Sequence, residues 1–304
     1  MTSADLLLGC RFAPEGTSVD LAVSGGADSL GLLLLALEAQ LDVHVHHVDH
    51  HARANSTGDA EYVVSVANSL HVPVVVHDVV VDAGPNFEAR ARGERRRVLP
   101  EGCLTGHTMD DLAETVLLNM LRGAGVDGLS PLVNDPTKPL LGVRRLPLAD
   151  YVLSRDLTAR IDETNNDLSF RRNRVRHQLL PLLNDVAERD VVPLLARQAE
   201  VLFDDRTWLS DLLHDDLARH IEDVDCRELR DWPRARLRRW LRAKLALRDD
   251  LGESHPPSSA EIERALRVID GEVVAVELEG GRRLSRRAQR LALEGDSTTL
   301  TRHG

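Results

Sequence analysis

Lysine is almost missing from this sequence. Of 38 basic residues only Lys138 and Lys244 are lysines, so positive charge arrives nearly always as a planar guanidinium, a fork shaped for phosphate and carboxylate. Aromatic residues make up 3%, too few for a platform of stacked rings on a single strand. The three cysteines, Cys10, Cys103 and Cys226, contain no C-x-x-C pair. That spacing excludes a disulfide scaffold and a cysteine-ligated zinc or iron–sulfur centre. The longest apolar run lies within residues 30–37, far short of the ~20 residues that span a bilayer. Asp5 precedes any basic residue, unlike the start of a signal peptide, so a cytoplasmic protein without a membrane partner is expected. A net charge of -11 excludes a broad polyanion or membrane-surface binder.

What is present is ordinary globular composition: 304 residues, 42% hydrophobic and 29% charged. That length accommodates two domains. Residues 19–23 form a short apolar run ending in Ser24-Gly25-Gly26-Ala27-Asp28-Ser29, followed by an apolar helical stretch at 30–39. Strand patterns at 43–48, 72–80 and 103–105 alternate with helical patterns at 59–70, 86–99 and 109–121. Such alternation predicts an α/β fold with a parallel sheet covered on both faces. Residues 147–157 read as a helix, 165–173 as a polar arginine-rich loop and 175–185 as the start of another helix. Beyond 188 the pattern is mainly helical, and Pro256-Pro257 introduces a small α+β tail: helix 260–269, strand 273–278, turn Gly280-Gly281 and strand 290–293. The expected division is a catalytic domain over 1–200 and a helical plus small α+β, tRNA-binding domain over 201–304, the RNA role being implied by the resemblance below.

A strand, a glycine-bearing loop and a helix in succession present backbone N–H groups and a positive helix end to a phosphate. The loop lacks the lysine of G-x-x-x-x-G-K-[ST] and the spacing of G-x-G-x-x-G, so kinase and dehydrogenase readings lose support. It could also be a plain strand-to-helix turn, with Asp28 and Ser29 starting the helix. A second constellation, Gly106-His107-Thr108-Met109-Asp110-Asp111-Leu112-Ala113-Glu114, puts His107, Asp111 and Glu114 at helical spacing on one face. These groups can bind an ammonium, hold Mg²⁺ or move a proton. Thr108 with Asp111 also reads as a helix capping box. Residues 170–177 carry Arg171, Arg172, Arg174 and Arg176, a density suited to the phosphates of a nucleotide or RNA. Five histidines, His44, His46, His47, His50 and His51, suggest a metal, but strand alternation sends His44 and His46 to one face and His47 to the other.

The S-G-G-x-D-S loop resembles that of the PP-loop ATP pyrophosphatases, which cleave ATP between its α- and β-phosphates. Together with His47-Val48-Asp49-His50, Asn86-Phe87-Glu88, Ala91-Arg92, His107, Asp110-Asp111, Glu114-Thr115, Leu121-Arg122-Gly123-Ala124-Gly125, Lys138-Pro139-Leu140-Leu141 and Arg172-Asn173-Arg174-Val175-Arg176-His177, it resembles the tRNA(Ile)-lysidine synthetases. Gly280-Gly281-Arg282-Arg283-Leu284 is similar to part of their small tail domain. The sequence departs from the family pattern at Thr108, where a second His is usual, and at Leu112, His51 and Arg96.

The resemblance implies a two-step ligation on an isoleucine tRNA with a CAU anticodon. The wobble cytidine is adenylated by ATP, and free L-lysine then displaces AMP at C2 of the base to give lysidine. It implies ATP binding by Ser24, Gly25, Gly26, Ala27, Asp28 and Ser29, with Asp28 also catalytic. Arg92, His107 and Arg172 would stabilise charge at the α-phosphate, and Asp111 and Glu114 would hold lysine's ammonium groups or Mg²⁺. Arg174 and Arg176 are expected on tRNA. No metal site is fixed by the protein alone; Mg²⁺ is expected with ATP, near Asp111 or Glu114. The family commonly forms dimers, while the sequence itself leaves the oligomeric state open. The alternatives are another PP-loop tRNA-modifying enzyme such as a thiolase, and a non-catalytic RNA or nucleotide binder.

Overall fold

The structure, a computed structural model, describes residues 2–49, 56–79, 87–160, 166–248 and 254–295, without the side chains of 56, 57, 87–89, 91 and 92. Two compact units emerge, Met1–Asp204 and Asp205–Gly304.

The first unit opens with a short helix α1 (Ser3–Leu7) and continues through β1 (Ser18–Ala22), α2 (Ala27–Glu38), β2 (Asp42–Asp49), α3 (Ser56–Ser69), β3 (Val74–Asp78), α4 (Phe87–Val98), β4 (Leu104–Thr105) and α5 (Met109–Leu121). The strands form one parallel sheet in the order β3-β2-β1-β4, with Val19 beside Val43, His46 beside Val75 and Leu21 beside Leu104. The expected α/β class is observed. Because β4 returns on the far side of β1, the strand order reverses between these two. The crevice beyond the carboxyl ends of strands at such a reversal is where open α/β sheets bind ligands.

Alternation along the strands sends Leu21, Val43 and Val45 into the main apolar cluster of this unit. Helix α2 adds Leu30, Leu32, Leu33 and Leu35, each essentially fully buried. Burial of each such side chain contributes about 1.5–3 kcal/mol, so α2 is anchored firmly and its N-terminus has a fixed place over the sheet. The opposite strand face is more polar: His46 Nε2 lies 2.8 Å from Asp20 Oδ1 and its Nδ1 lies 2.9 Å from His77 Nε2. His47 turns away and its Nδ1 meets the Val23 carbonyl at 2.8 Å. The alternation foreseen for the histidines is seen for His46 and His47; His50 and His51 lie outside the described residues.

After α5 come α6 (Val126–Leu129), α7 (Arg145–Ser154), α8 (Arg171–Arg174), a π-helical turn at Val175–Leu179, α9 (Leu180–Ala187) and α10 (Val192–Asp211). The polar loop expected over 165–173 therefore ends early, where α8 begins. The second unit contains α11 (His214–Ala218), α12 (Cys226–Arg230), α13 (Arg234–Lys244), the β5 (Leu247–Arg248) and β6 (Ser254–His255) pair, α14 (Ser259–Asp270) and the antiparallel strands β7 (Ala275–Glu277), β8 (Arg283–Arg287) and β9 (Arg290–Glu294). Strand β8 was not expected. Its sequence, Arg-Leu-Ser-Arg-Arg, has one large apolar residue, Leu284, which is fully buried, while the arginines carry the ladder's outer positions. The unit's apolar cluster combines Trp240, Leu237 and Leu241 from α13 with Ile262, Leu266 and Ile269 from α14.

Candidate active site at the strand-order reversal

The Ser24–Ser29 loop leaves β1 and runs straight into α2. Gly25 has φ +87°, a left-handed backbone that glycine adopts without steric cost. The loop is closed by its own hydroxyls: Ser29 Oγ donates to the Gly26 carbonyl at 2.9 Å and accepts from the Ser24 N–H at 3.1 Å. Gly25's carbonyl accepts from the Arg160 N–H at 2.9 Å. Asp28 occupies the first turn of α2, where the helix end carries partial positive charge.

The second constellation leaves β4 on the other side of the reversal. Gly106 packs against the start of α2 so closely that a Cβ there would meet the Asp28 carbonyl oxygen at 2.6 Å. His107 is fixed by the Thr105 hydroxyl, 2.8 Å from Nδ1. Thr108, fully buried, caps α5, its N–H and hydroxyl both donating to Asp111 Oδ2 at 2.8 and 2.9 Å. The hydroxyl thus does structural work at the position where the family usually carries a histidine. The capping reading and the site reading of Asp111 hold together, because its other oxygen is free to face the site.

That other oxygen meets a cluster of arginines. Asp111 Oδ1 accepts from Arg145 Nη2 at 2.8 Å and Arg172 Nη2 at 2.9 Å. Glu114, with no exposed side-chain surface, accepts from Arg145 Nη1 at 3.0 Å, Arg172 Nε at 2.8 Å and Arg176 Nε at 2.7 Å. Arg145 also reaches Asp28 Oδ2 through Nε at 3.2 Å. Three guanidiniums and three carboxylates therefore balance in charge, which is what makes a buried acid such as Glu114 tolerable.

The electrostatics separate the two aspartates. Burial pushes the Asp28 carboxyl up to about 6, only partly opposed by Arg145. Burial acts on Asp111 too, but Arg145, Arg172 and the Thr108 N–H outweigh it and hold the group below its ordinary value. Asp28 Oδ1 is buried without a hydrogen-bond partner among the described residues, whereas the oxygens of Asp111 and Glu114 are committed to Thr108 and the arginines. A hard cation arriving with a nucleotide fits that unpartnered oxygen better than the two acids where Mg²⁺ was expected.

Of the expected site residues, Ser24, Gly25, Gly26, Ala27, Asp28 and Ser29 form one loop. Asp28, Asp111, Glu114 and Arg172 share one network, with His107 beside it. The Arg92 side chain lies outside the described residues. Arg174 and Arg176 part company: Arg174 is exposed, while Arg176 turns onto Glu114 because its position four residues beyond Arg172 shares that inward helical face. Arg145 was missed. Its sequence signal is a cation in the first turn of a helix, unfavourable to the helix dipole unless an anion is near. Asp110 secures this helix start, accepting from the Arg145 N–H at 2.8 Å and from Arg144 Nε at 3.1 Å.

Residues 10–183 match the PP-loop domain family. The chain is 39% identical over 220 residues to a tRNA(Ile)-lysidine synthase of Gloeobacter violaceus, covering 66% of this chain and 67% of that protein. It is 34% identical over 274 residues to the tRNA(Ile)-lysidine synthase of Rhodococcus erythropolis, covering 86% and 82%. The fold is similar to that of the U34-tRNA thiolase NcsA from Methanococcus maripaludis, with TM-score 0.52 and 17% identity over 66% of this chain and 74% of that one. With its S-G-G-x-D-S loop and acid–arginine cluster set on either side of the reversal, the chain belongs to the tRNA(Ile)-lysidine synthase family of PP-loop proteins.

Proposed function

We propose that this protein ligates lysine to C2 of the wobble cytidine in an isoleucine tRNA with a CAU anticodon, using ATP. The observation that carries the reading is the convergence of a phosphate-shaped loop and a buried carboxylate pair in a chain of this family. In the first step, cytidine O2 attacks the α-phosphorus of ATP and the bond to the β-phosphate oxygen breaks, releasing pyrophosphate. In the second, the ε-amine of lysine attacks C2 of the adenylated base, AMP leaves with the O2 oxygen, and the amine loses a proton. Recognition then changes from AUG to AUA.

The loop of Ser24–Ser29 holds the pyrophosphate portion with backbone N–H groups and the α2 terminus. His107 and Arg172 offset charge developing at the α-phosphate, the largest contribution in such transfers. Asp28, through Oδ1, would hold the Mg²⁺ that travels with ATP, which would offset the negative charge of the phosphates. Asp111 and Glu114 receive lysine's ammonium groups: incoming phosphates compete for Arg145 and Arg172, and an ammonium restores the charge those guanidiniums supplied. Such an enzyme works in the cytoplasm, where ATP, lysine and tRNA meet. Among the described residues no helix is long and apolar enough to cross a membrane.

The thiolase reading has little support. Cys103 and Cys226 are buried, Cys10 is half-buried, and burial pushes the Cys10 and Cys103 thiols up to about 12, away from the reactive thiolate. The test is transfer of labelled lysine to the isoleucine tRNA, compared with a methionine tRNA carrying the same anticodon. Sustained pyrophosphate release that needs both lysine and the isoleucine tRNA is the expected result, with no more than a single turnover when lysine is withheld. ATP turnover indifferent to lysine would overturn the reading.

A further inference from the structure

A cavity of about 500 Å³ opens between the C-terminal half of α5 and the helical stretch from α8 to α9. Its volume is within the ~300–1,000 Å³ usual for small-ligand sites. Leu118, Leu121, Leu179 and Leu182 supply an apolar lining, and Leu121 and Leu182 are 71% and 57% exposed. The rim carries Arg122, Arg171 and Arg174. Among the described residues no carboxylate pairs with these three; the Arg122 guanidinium donates to Asn119 Oδ1, at 3.2 Å. This sets them apart from Arg145, Arg172 and Arg176, which are saturated by acids.

The helix that bears the acids also bears the cavity. Leu118 and Arg122 lie four and eight residues beyond Glu114, roughly 6–12 Å along the α5 axis, a reach of one or two nucleotides in an unstacked strand. On the facing stretch, Arg172 and Arg176 point to the acids while Arg171, Arg174 and Leu182 line the cavity. The π-helical turn at Val175–Leu179 lies within this stretch, and such turns recur at functional sites. The Leu121-Arg122-Gly123-Ala124-Gly125 segment, which the reacting groups leave unused, ends α5 at the cavity mouth, with Gly123 at φ +76°.

We propose that this cavity takes the base of a nucleotide flanking the modified cytidine, with the adjoining phosphates on Arg122, Arg171 and Arg174. An apolar floor with guanidiniums at its edge that no described carboxylate claims suits a splayed-out RNA base, which offers an apolar face and anionic neighbours. An acidic or apolar protein surface would satisfy one half of that pairing and leave the other unmatched. The inference rests on the lysidine reading, because that reading puts the reacting cytidine at the acid cluster.

The test measures binding by fluorescence anisotropy, without ATP or lysine, of an anticodon stem-loop RNA and of two versions abasic on one or other side of the cytidine. The Leu121→Ser/Leu182→Ser protein changes only exposed side chains. It should bind the intact RNA roughly tenfold more weakly, the size of a lost base contact. One abasic RNA should bind the parent protein weakly by a similar factor and show no further loss with the variant. Equal losses on all three RNAs, or no loss on any, would overturn the proposal. So would a variant altered only in its sedimentation as free protein, which would make the surface a contact between copies of this chain. Lysidine formation by the parent on full tRNA reads the underlying assignment separately: normal product with the wrong anisotropy pattern removes the cavity and leaves the reaction. The expected anisotropy pattern without product does the reverse.

Discussion

In α13, Arg234 pairs with Asp270, Arg236 with Asp216 and Arg238 with Glu263. Around α5, Arg145, Arg172 and Arg176 all converge on Asp111 and Glu114. In sequence the first is a dense basic tract, and so is the 171–176 stretch that supplies Arg172 and Arg176, with Arg145 joining from a separate segment. In space the first is a set of one-to-one pairs with arginines at 40–52% side-chain exposure, and the second a shared cluster around an acid with none exposed. An exposed one-to-one pair such as Arg238–Glu263 is worth about 0–1 kcal/mol, Arg236 is held by two hydrogen bonds to the buried Asp216, and such pairs leave little charge for a ligand. A cluster whose members share partners can hand a guanidinium to an incoming phosphate and keep its acids for something else. Arginine density therefore says less about binding than whether neighbouring acids already claim each fork.

The largest effect that would break this contrast is at Asp28. Asp28→Asn should lower lysidine formation by at least ~100-fold, the usual scale for losing a group that stabilises transition-state charge. It should not lower stability. Because the folded Asp28 titrates near 6 against an ordinary 3.8, keeping it ionised costs stability above that window, and the cost vanishes below about pH 4, where folded and unfolded forms are both protonated. The neutral variant should gain on the order of 1–3 kcal/mol at pH 7.5 and lose that gain near pH 4. A lower melting temperature at pH 7.5 would show that the Arg145 contact outweighs burial.

Arg145→Ala comes next. It removes the one guanidinium among the described residues that touches Asp28, Asp111 and Glu114 together, and leaves buried carboxylate charge uncompensated at a cost of about 3 kcal/mol. Turnover should fall roughly 100-fold or more. A variant within tenfold of the parent, measured by lysine incorporation, would demote Arg145 to a surface pair of the α13 kind. Arg174→Ala should weaken tRNA binding and reduce the slope of log affinity against log salt by about 0.7–0.9; an unchanged slope would remove Arg174 from the RNA surface. The smallest effect belongs to Arg238→Ala, whose pair is half exposed at both ends. Urea unfolding should register about 0.5 kcal/mol or less, and a loss beyond 2 kcal/mol would mean that the α13 pairs act as a network after all.

The loop at Ser24–Ser29 and the capped helix at Met109–Leu121 were legible because their signals are local: a strand, a turn and a helix in succession, and a Thr and an Asp three residues apart. Arg145 was not, since it meets Asp28 across 117 residues of chain and its own neighbourhood shows only a pair of arginines before a proline. Grouping Arg176 with Arg174 treated them as one tract, although helical geometry faces Arg176 toward Glu114 with Arg172. Strand β8 escaped because its register with β7 and β9, and not its own residues, makes Leu284 a core position. Local chemistry was readable; the partner of each charge depended on contacts made over long separations.

The close approach of Gly106 to the start of α2 has a mechanical consequence. With backbone resting on backbone there, no side chain can rotate to let the loop after β1 and the turn after β4 drift apart. The spacing between the Ser24–Ser29 loop, proposed to hold the departing phosphates, and His107 is thereby gauged by one rigid spacer. A substitution such as Gly106→Ala would act like a shim in a vice: both jaws could keep their shape, yet the gap between them would no longer match the molecule they close upon.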